Sequence, residues 1–312
     1  MLLFATIFWG VSFPVMRSLG LLQEQLLPGL SSWFMTSATV AARFGLAALL
    51  LAMWSWRTLP HLTRLEFRQG AGLAFFGGLG ILFQMDGLAY TSASTSAFLT
   101  QSYCVIIPIV VAGRDRRWPS AQIVWGTGLV LAGVAVLSQF DWREFKMGRG
   151  ELETLIGSLL FTGQILWLER PCFAPNRVNH FSIVMFAGMA LVALPITLLT
   201  LRAPVDLVTL CRSPVVVGLT AILVLASTLV AYVIMNHWQP RLPATDAGLI
   251  YAVEPLFASL FALFLPQCFG AFGGFRYANE RLTANLLIGG GLITAANVLI
   301  QLKPPARPAV AA

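Results

Sequence analysis

Tyr251-Ala-Val-Glu254-Pro255-Leu-Phe-Ala-Ser-Leu-Phe-Ala262 places an acid beside a proline in the middle of an apolar stretch long enough to cross a bilayer. A carboxylate at bilayer depth costs several kcal/mol unless it is paired, protonated or in contact with water. Proline lacks the N–H that would satisfy a carbonyl one turn back, and lipid offers no substitute. Both residues are tolerable only where the helix faces other protein or an aqueous cavity. The stretch therefore predicts a polytopic membrane protein with a polar interior.

Composition agrees. Of 312 residues, 57% are hydrophobic and 11% charged, and the mean hydropathy is +0.78, far outside the range of soluble domains. Charged residues are too few to coat two soluble domains of this total length. A formal net charge of +7 would suit nucleic acid in a soluble protein. Here the basic residues fall mostly between apolar stretches, where they set topology and meet lipid headgroups, so no nucleic-acid partner is expected. Lys146 and Lys303 are the lysines; the other basic residues are arginines. Cys104, Cys172, Cys211 and Cys268 lack the paired spacing of a metal site, and no cofactor is expected. Cys211 and Cys268 fall in segments read as loops on one outer side, where a disulfide is conceivable but no spacing indicates it. The first apolar run carries Trp9, Pro14 and Arg17, with no basic residue ahead of it and no small-residue cleavage site. It reads as a retained helix rather than a signal peptide.

A transmembrane helix needs about 20 mostly apolar residues. Such runs lie near 2–20, 33–54, 69–90, 94–112 and 120–139, then near 152–169, 180–201, 214–237, 244–266 and 284–302. The two sets look like copies of one unit. Ala97 and Leu99 match Ala247 and Leu249 at an offset of 150 (247 − 97), and Asp86 falls on Asn236 at the same offset. Phe8, Gly10 and Arg17 match Phe161, Gly163 and Arg170 at an offset of 153 (161 − 8). Gly126-Thr-Gly128-Leu129 matches Gly289-Gly-Gly291-Leu292 at an offset of 163 (289 − 126), the difference falling in a Phe/Gly-rich segment around 267–279 read as a loop. Five spans per unit is odd, so the second unit enters the membrane inverted. Inverted repeats mark secondary transporters, with the site between the halves near the midplane. The expected fold is all-α: ten transmembrane helices in two five-helix repeats, residues 1–139 and 150–302.

With the N-terminus inside, the inner loops of the first unit carry Arg57, Arg64, Arg68, Arg114, Arg116 and Arg117, and its outer end carries Arg143, Lys146 and Arg149. The second unit, with Arg170, Arg177 and Arg241 in its inner loops, Lys303 and Arg307 in its tail, and Arg202, Arg212, Arg276 and Arg281 outside, is hardly biased. Early spans often dominate orientation, which puts both termini in the cytoplasm.

Several stretches together resemble the EamA-type transporters of the drug/metabolite transporter superfamily. Trp9-Gly10-Val-Ser12-Phe13 looks like that family's opening motif, and Arg43 in Ala-Ala-Arg43-Phe44 resembles the arginine of its second helix. Ala89-Tyr90-Thr-Ser-Ala-Ser, then Ala97-Phe98-Leu-Thr-Gln101 with Pro108, resemble the junction of its third and fourth helices. Glu254-Pro255, Glu280-Arg-Leu-Thr and Gly289-Gly-Gly-Leu resemble the close of its second repeat. The segment between Phe264 and Glu280 is longer than the family's usual step. The resemblance implies a transporter of small metabolites or amphipathic compounds in the bacterial inner membrane, driven by a solute or ion gradient such as protons.

Arg43 and Glu254 sit about halfway through their spans. An ion pair across the cavity would lower the cost of both, as a substrate- or proton-sensitive pair or as a structural lock; the plainer alternative is an Arg43 that satisfies carbonyls within its own half. Asp86 is placed near one membrane end, as a substrate contact or a hydrated interfacial carboxylate. Asn236 mirrors it at the other end, followed by His237, a group able to titrate near neutrality or simply an anchor. Gln84, Gln101, Tyr103 and Gln164 are candidates for the cavity lining, with helix-to-helix hydrogen bonding as the plainer reading. Trp9, Trp167 and Tyr251 offer apolar or cation–π walls. The glycine runs lack the ending of a phosphate loop.

Three histidines with no metalloprotease or serine-protease motif leave an enzyme little to work with. The expected partners are a small-molecule solute and the lipid bilayer; the sequence leaves the oligomeric state open. Aromatic spans, intramembrane acids and the lack of a basic cluster favour an aromatic amino acid or a cationic drug. A phosphate-linked antiporter of the nucleotide-sugar or triose-phosphate kind and a lipid scramblase stand as alternatives.

Overall fold

A computed structural model describes residues 1–114, 116, 121–137, 147–242 and 244–301. Its helices are α1 Leu2–Leu26, α2 Ser32–Trp54, α3 Arg64–Gly87, α4 Ala93–Thr100, α5 Tyr103–Arg114, α6 Ala121–Leu137, α7 Arg149–Leu168 and α8 Val178–Thr200. They continue as α9 Pro204–Arg212, α10 Pro214–Ile222, α11 Ala231–Trp238, α12 Ala244–Tyr251, α13 Glu254–Ala262, α14 Leu265–Gly273 and α15 Ala284–Gln301. Among the described residues there is no strand. Helix occupies part of every stretch the sequence marks as apolar. Five are long and apolar enough by themselves to cross a bilayer: Leu2–Leu26, Ser32–Trp54, Ala93–Arg114, Val178–Thr200 and Pro214–Arg241. The pair α13 and α14, bent by 51°, makes a sixth if counted as one span. Large apolar side chains such as Leu49, Leu198, Leu199 and Phe272 face outward, while Arg43, Gln101 and Glu254 are buried. That inside-out distribution suits a lipid solvent.

Helix α3 lies between α7 and α8. Thr63 starts it with a capping box: its hydroxyl accepts from Glu66 N–H at 3.1 Å, and the Glu66 carboxylate accepts from Thr63 N–H at 2.8 Å. At the other end of α3 two glycines let backbones touch. A Cβ on Gly87 would lie 2.7 Å from Gly150 O, and one on Gly150 would lie 2.6 Å from Gly87 O. No side chain fits there.

Three interruptions shape the interior. α4 and α5 are separated at Gln101–Ser102, and α12 and α13 at Ala252–Val253, just before Glu254 and Pro255. Between α10 and α11, Leu223–Val230 is wound as a π-helix, a form that occurs mostly as short bulges near functional sites.

Two expectations need correction. The segment around 267–279 is not a plain loop: α14 fills its first part and ends at Gly274, whose left-handed φ of 68° forms the cap. Cys211 and Cys268 lie in α9 and α14 rather than in loops, and both are free thiols. Arg117, Arg143, Lys146, Lys303 and Arg307, used to orient the chain, lie outside the described residues.

Candidate functional site

The helix interruptions converge on a narrow cavity of about 60 Å³. Trp9 and Phe13 come from α1, Arg43 from α2, Gln84 from α3, Tyr103 from α5, Gln164 from α7, Tyr232 from α11, Tyr251 from α12 and Glu254 from α13. Seven of the residues singled out in the sequence therefore meet here: Trp9, Arg43, Gln84, Tyr103, Gln164, Tyr251 and Glu254. Gln101 joins from behind, its Nε2 donating to Glu254 Oε2 at 3.2 Å. The cavity has room for a few water molecules, so any organic solute requires it to widen.

Arg43 and Glu254 share the cavity without forming the expected ion pair. The Arg43 Nε donates to Thr228 Oγ1 at 2.6 Å, its Nη2 to Ser227 O at 3.2 Å and its Nη1 to Met16 Sδ at 3.5 Å. Ser227 and Thr228 belong to the π-helical turn, whose altered hydrogen bonding turns a carbonyl and a hydroxyl towards the guanidinium. With acceptors supplied there, Arg43 does not need the carboxylate. The Ser227 hydroxyl in turn donates to Phe8 O at 2.8 Å, tying the turn to α1. These two hydroxyl residues were legible as polar interruptions of an apolar span, but the sequence reading passed over them.

The aromatic wall is ordered. Trp9 packs edge-on against Tyr232 and Tyr251, with ring centroids 5.6 and 5.5 Å apart. Among the described residues its buried Nε1–H has no hydrogen-bond partner. Tyr251 OH donates to Gln239 Oε1 at 2.9 Å, and Gln239 Nε2 donates to Ile165 O at 3.3 Å. Gln84 Nε2 donates to Thr100 Oγ1 at 2.8 Å across the third and fourth helices.

Asp86, Asn236 and Trp167 do not line this cavity. Asp86 is fully buried rather than hydrated, because Arg149 covers it: Nη2 and Oδ2 are 2.5 Å apart. The same guanidinium reaches Glu153 Oε1 at 2.8 Å and Tyr90 OH at 2.7 Å, and its Cζ lies 4.3 Å from the centre of the Tyr90 ring. Thr36 adds a long bond of 3.5 Å to Asp86 Oδ1. A cavity of about 180 Å³ opens beside this end, between α1, α2 and the end of α3.

The opposite end of α3 holds a cluster that the sequence reading missed. Glu66 Oε1 accepts from Arg177 Nε at 2.8 Å and from Arg177 N–H at 3.1 Å, and Oε2 lies 3.1 Å from His180 Nδ1. Glu66 precedes the apolar part of α3. Burial would push its carboxyl upward, but the bonds from Arg177, Thr63 N–H, Arg177 N–H and His180 outweigh that and hold it at about 2. Arg177 had been only a loop charge, and nothing local to residue 66 announces partners 111 positions away. A cavity of about 710 Å³ lies at this end, and Asn236 lines it with His237. The Asn236 Nδ2 donates to Ser182 Oγ at 2.8 Å. Trp167 donates from Nε1 to Gln69 O at 3.1 Å and carries the Arg170 guanidinium 4.0 Å over its ring. Among the described residues no His, Cys, Asp and Glu group could hold a metal ion.

Residues 1–139 match the model of the EamA-like transporter family. An uncharacterized transporter of Archaeoglobus fulgidus is 26% identical over 276 residues, an alignment covering 85% of this chain and 79% of that protein. One solved crystal structure superposes with a TM-score of 0.54 at 15% identity, over 95% of this chain and 96% of the other, a likeness of fold alone.

Proposed function

We propose that this integral multi-pass membrane protein is an EamA-type transporter and that it carries a small organic solute through the cavity between Arg43 and Glu254 by alternating access. One observation carries the reading. The breaks at Gln101–Ser102 and Ala252–Val253 lie about 150 residues apart, as the internal matches do, and meet through the Gln101–Glu254 hydrogen bond. Paired discontinuous helices at corresponding positions of two halves are the usual seat of substrate and coupling ions in secondary transporters.

The reading includes ten spans in two inverted units, residues 1–139 and 150–302, with both termini in the cytoplasm of a bacterial inner membrane. Contacts between α2 and α8 and between α6 and α15, which hold corresponding places in the two units, support the symmetry. Loop arginines support the orientation. The narrow cavity is then a state between substrate-admitting ones.

The solute we favour has an apolar or aromatic part and a charged end: an aromatic amino acid or a cationic drug. Trp9, Tyr232 and Tyr251 supply the aromatic wall, Glu254 the acceptor for a cation, and Arg43 with Trp9 Nε1–H the donors for a carboxylate. Exchange of Glu254 between protonated and ionised forms would couple transport to protons.

Proteoliposome uptake tests this. Glu254→Gln should reduce transport at least tenfold while leaving expression intact, and Trp9→Phe should lower affinity for carboxylate-bearing solutes more than for cations. Wild-type rates in Glu254→Gln across the working pH range would remove both coupling and binding by that residue. Tight exchange of phosphorylated sugars, with no movement of amino acids or cations, would favour the antiporter instead. Lipid movement without solute transport would favour a scramblase.

A further inference from the structure

We propose that the 710 Å³ cavity at the Glu66 end is a second binding site, separate from the central one, for a phosphate group. Arg170 and Arg241, 71 positions apart (241 − 170), both line it. Each guanidinium lies over a tryptophan ring: the Arg170 Cζ is 4.0 Å from the Trp167 ring centre and the Arg241 Cζ 4.7 Å from that of Trp238. Stacking fixes the plane of a guanidinium while leaving its in-plane N–H edge available, the edge that grips oxyanions in bidentate fashion. Among the described residues neither side chain donates a hydrogen bond.

A second, independent observation points to the same place. His180 and Asn236 line the cavity and are each 1% exposed. Each holds a buried polar atom without a hydrogen-bond partner among the described residues, His180 Nε2 and Asn236 Oδ1. Their other polar atoms are engaged: His180 Nδ1 with Glu66 at 3.1 Å, Asn236 Nδ2 with Ser182 at 2.8 Å. Buried polar atoms left unsatisfied are costly, and such vacancies call for a ligand or water. With Nδ1–H directed at Glu66, a protonated His180 offers Nε2–H to an anion. Asn236 Oδ1 accepts a hydroxyl hydrogen, that of a monobasic phosphate or of the glycerol on a phosphatidylglycerol headgroup. Arg177 is already engaged by Glu66 and contributes little further; Glu169, also in the lining, is the opposing charge that keeps binding moderate.

The phosphate has two chemical sources, a free solute or the headgroup of an anionic lipid, since Arg170 and Arg241 lie beside the ends of apolar helices. The test uses the full chain in nanodiscs of zwitterionic phosphatidylcholine, titrated with inorganic phosphate and with glycerol phosphate while tryptophan fluorescence is read. A saturable response is expected. Arg170→Gln and Arg241→Gln should each weaken it about tenfold, the loss of one charge-assisted contact. Arg241→Lys should restore part of it, and Asn236→Asp, which places a carboxylate in the lining without changing shape, should weaken it more than tenfold. Glu254→Gln should leave it unchanged, which separates this site from the central cavity. If discs containing phosphatidylglycerol abolish the response to free phosphate, a lipid headgroup is the natural occupant; if they do not, a free solute is. No saturable response in phosphatidylcholine, or one indifferent to Arg170→Gln, Arg241→Gln and Asn236→Asp in variants that still transport the central solute, would overturn the proposal.

Discussion

Helix α3 carries a buried carboxylate near each end, and each is held by an arginine, Arg149 at the start of α7 or Arg177 just before α8, that is itself 45% exposed. At one end Glu66 takes the side chain and N–H of Arg177, the N–H of Thr63 and the ring of His180. At the other, Asp86 takes Arg149 and a long bond from Thr36, and Arg149 is shared with Glu153 and Tyr90. The Glu66 partners converge on one acceptor, whereas the Asp86 partner has alternatives. A lock whose cation can move to another carboxylate is easier to open, so the Asp86 end is suited to a gate and the Glu66 end to a hinge.

The same substitution at both ends separates these roles. Glu66→Ala leaves His180 and two N–H groups without their acceptor inside the protein, and should destabilise the fold by about 3–5 kcal/mol. Asp86→Ala leaves Arg149 with Glu153, Tyr90 and water, and should cost about 1.5–3 kcal/mol. Thermal unfolding in detergent reads both. Equal losses would erase the distinction between hinge and gate.

Acid should sharpen it. The Glu66 carboxyl is lowered from 4.5 to about 2 in the folded protein. Its contribution is therefore full above pH 4.5, declines as pH falls below that, and is gone once pH has passed through about 2. Wild-type stability should fall over that window, and Glu66→Gln should flatten the Glu66 share of the fall. A variant that loses stability as steeply as wild type would show that the cluster does not titrate as a unit.

Much of this arrangement was legible in the sequence, and the remainder was hidden for identifiable reasons. The all-helical class followed from composition, and Glu254-Pro255 marked a helix that must face protein or water because proline and a carboxylate are both unacceptable to lipid; the break just ahead of them was not foreseen. Arg43 and Glu254 were placed in one cavity from their depth alone. Their pairing failed because depth says nothing about competing acceptors, and a π-helical turn at Ser227 and Thr228 supplied them. Asp86 was read as a substrate contact or a hydrated carboxylate, and its burial was not foreseen because its cation, Arg149, sits 63 positions away and was assigned to a loop. Arginines read as topology markers, Arg170 and Arg241 among them, turned out to gather at one cavity. Which loops meet is a property of helix packing, and no local pattern encodes it.

The smallest effect tests how far the looser lock depends on its neighbour. Tyr90 OH lies 2.7 Å from Arg149 Nη1 and 2.9 Å from Ser32 Oγ, but the residue is 48% exposed. Water can replace the hydroxyl, and a phenylalanine ring would still lie under the guanidinium. Tyr90→Phe should therefore cost about 1 kcal/mol or less. If Tyr90 acts by steering Arg149 onto Asp86, that cost should vanish in the Asp86→Ala background, because there is no longer a bond to steer. If it acts by anchoring α2 through Ser32, the two losses should add. A Tyr90→Phe loss as large as that of Asp86→Ala would mean that the tyrosine, rather than the carboxylate, holds this end of α3 closed.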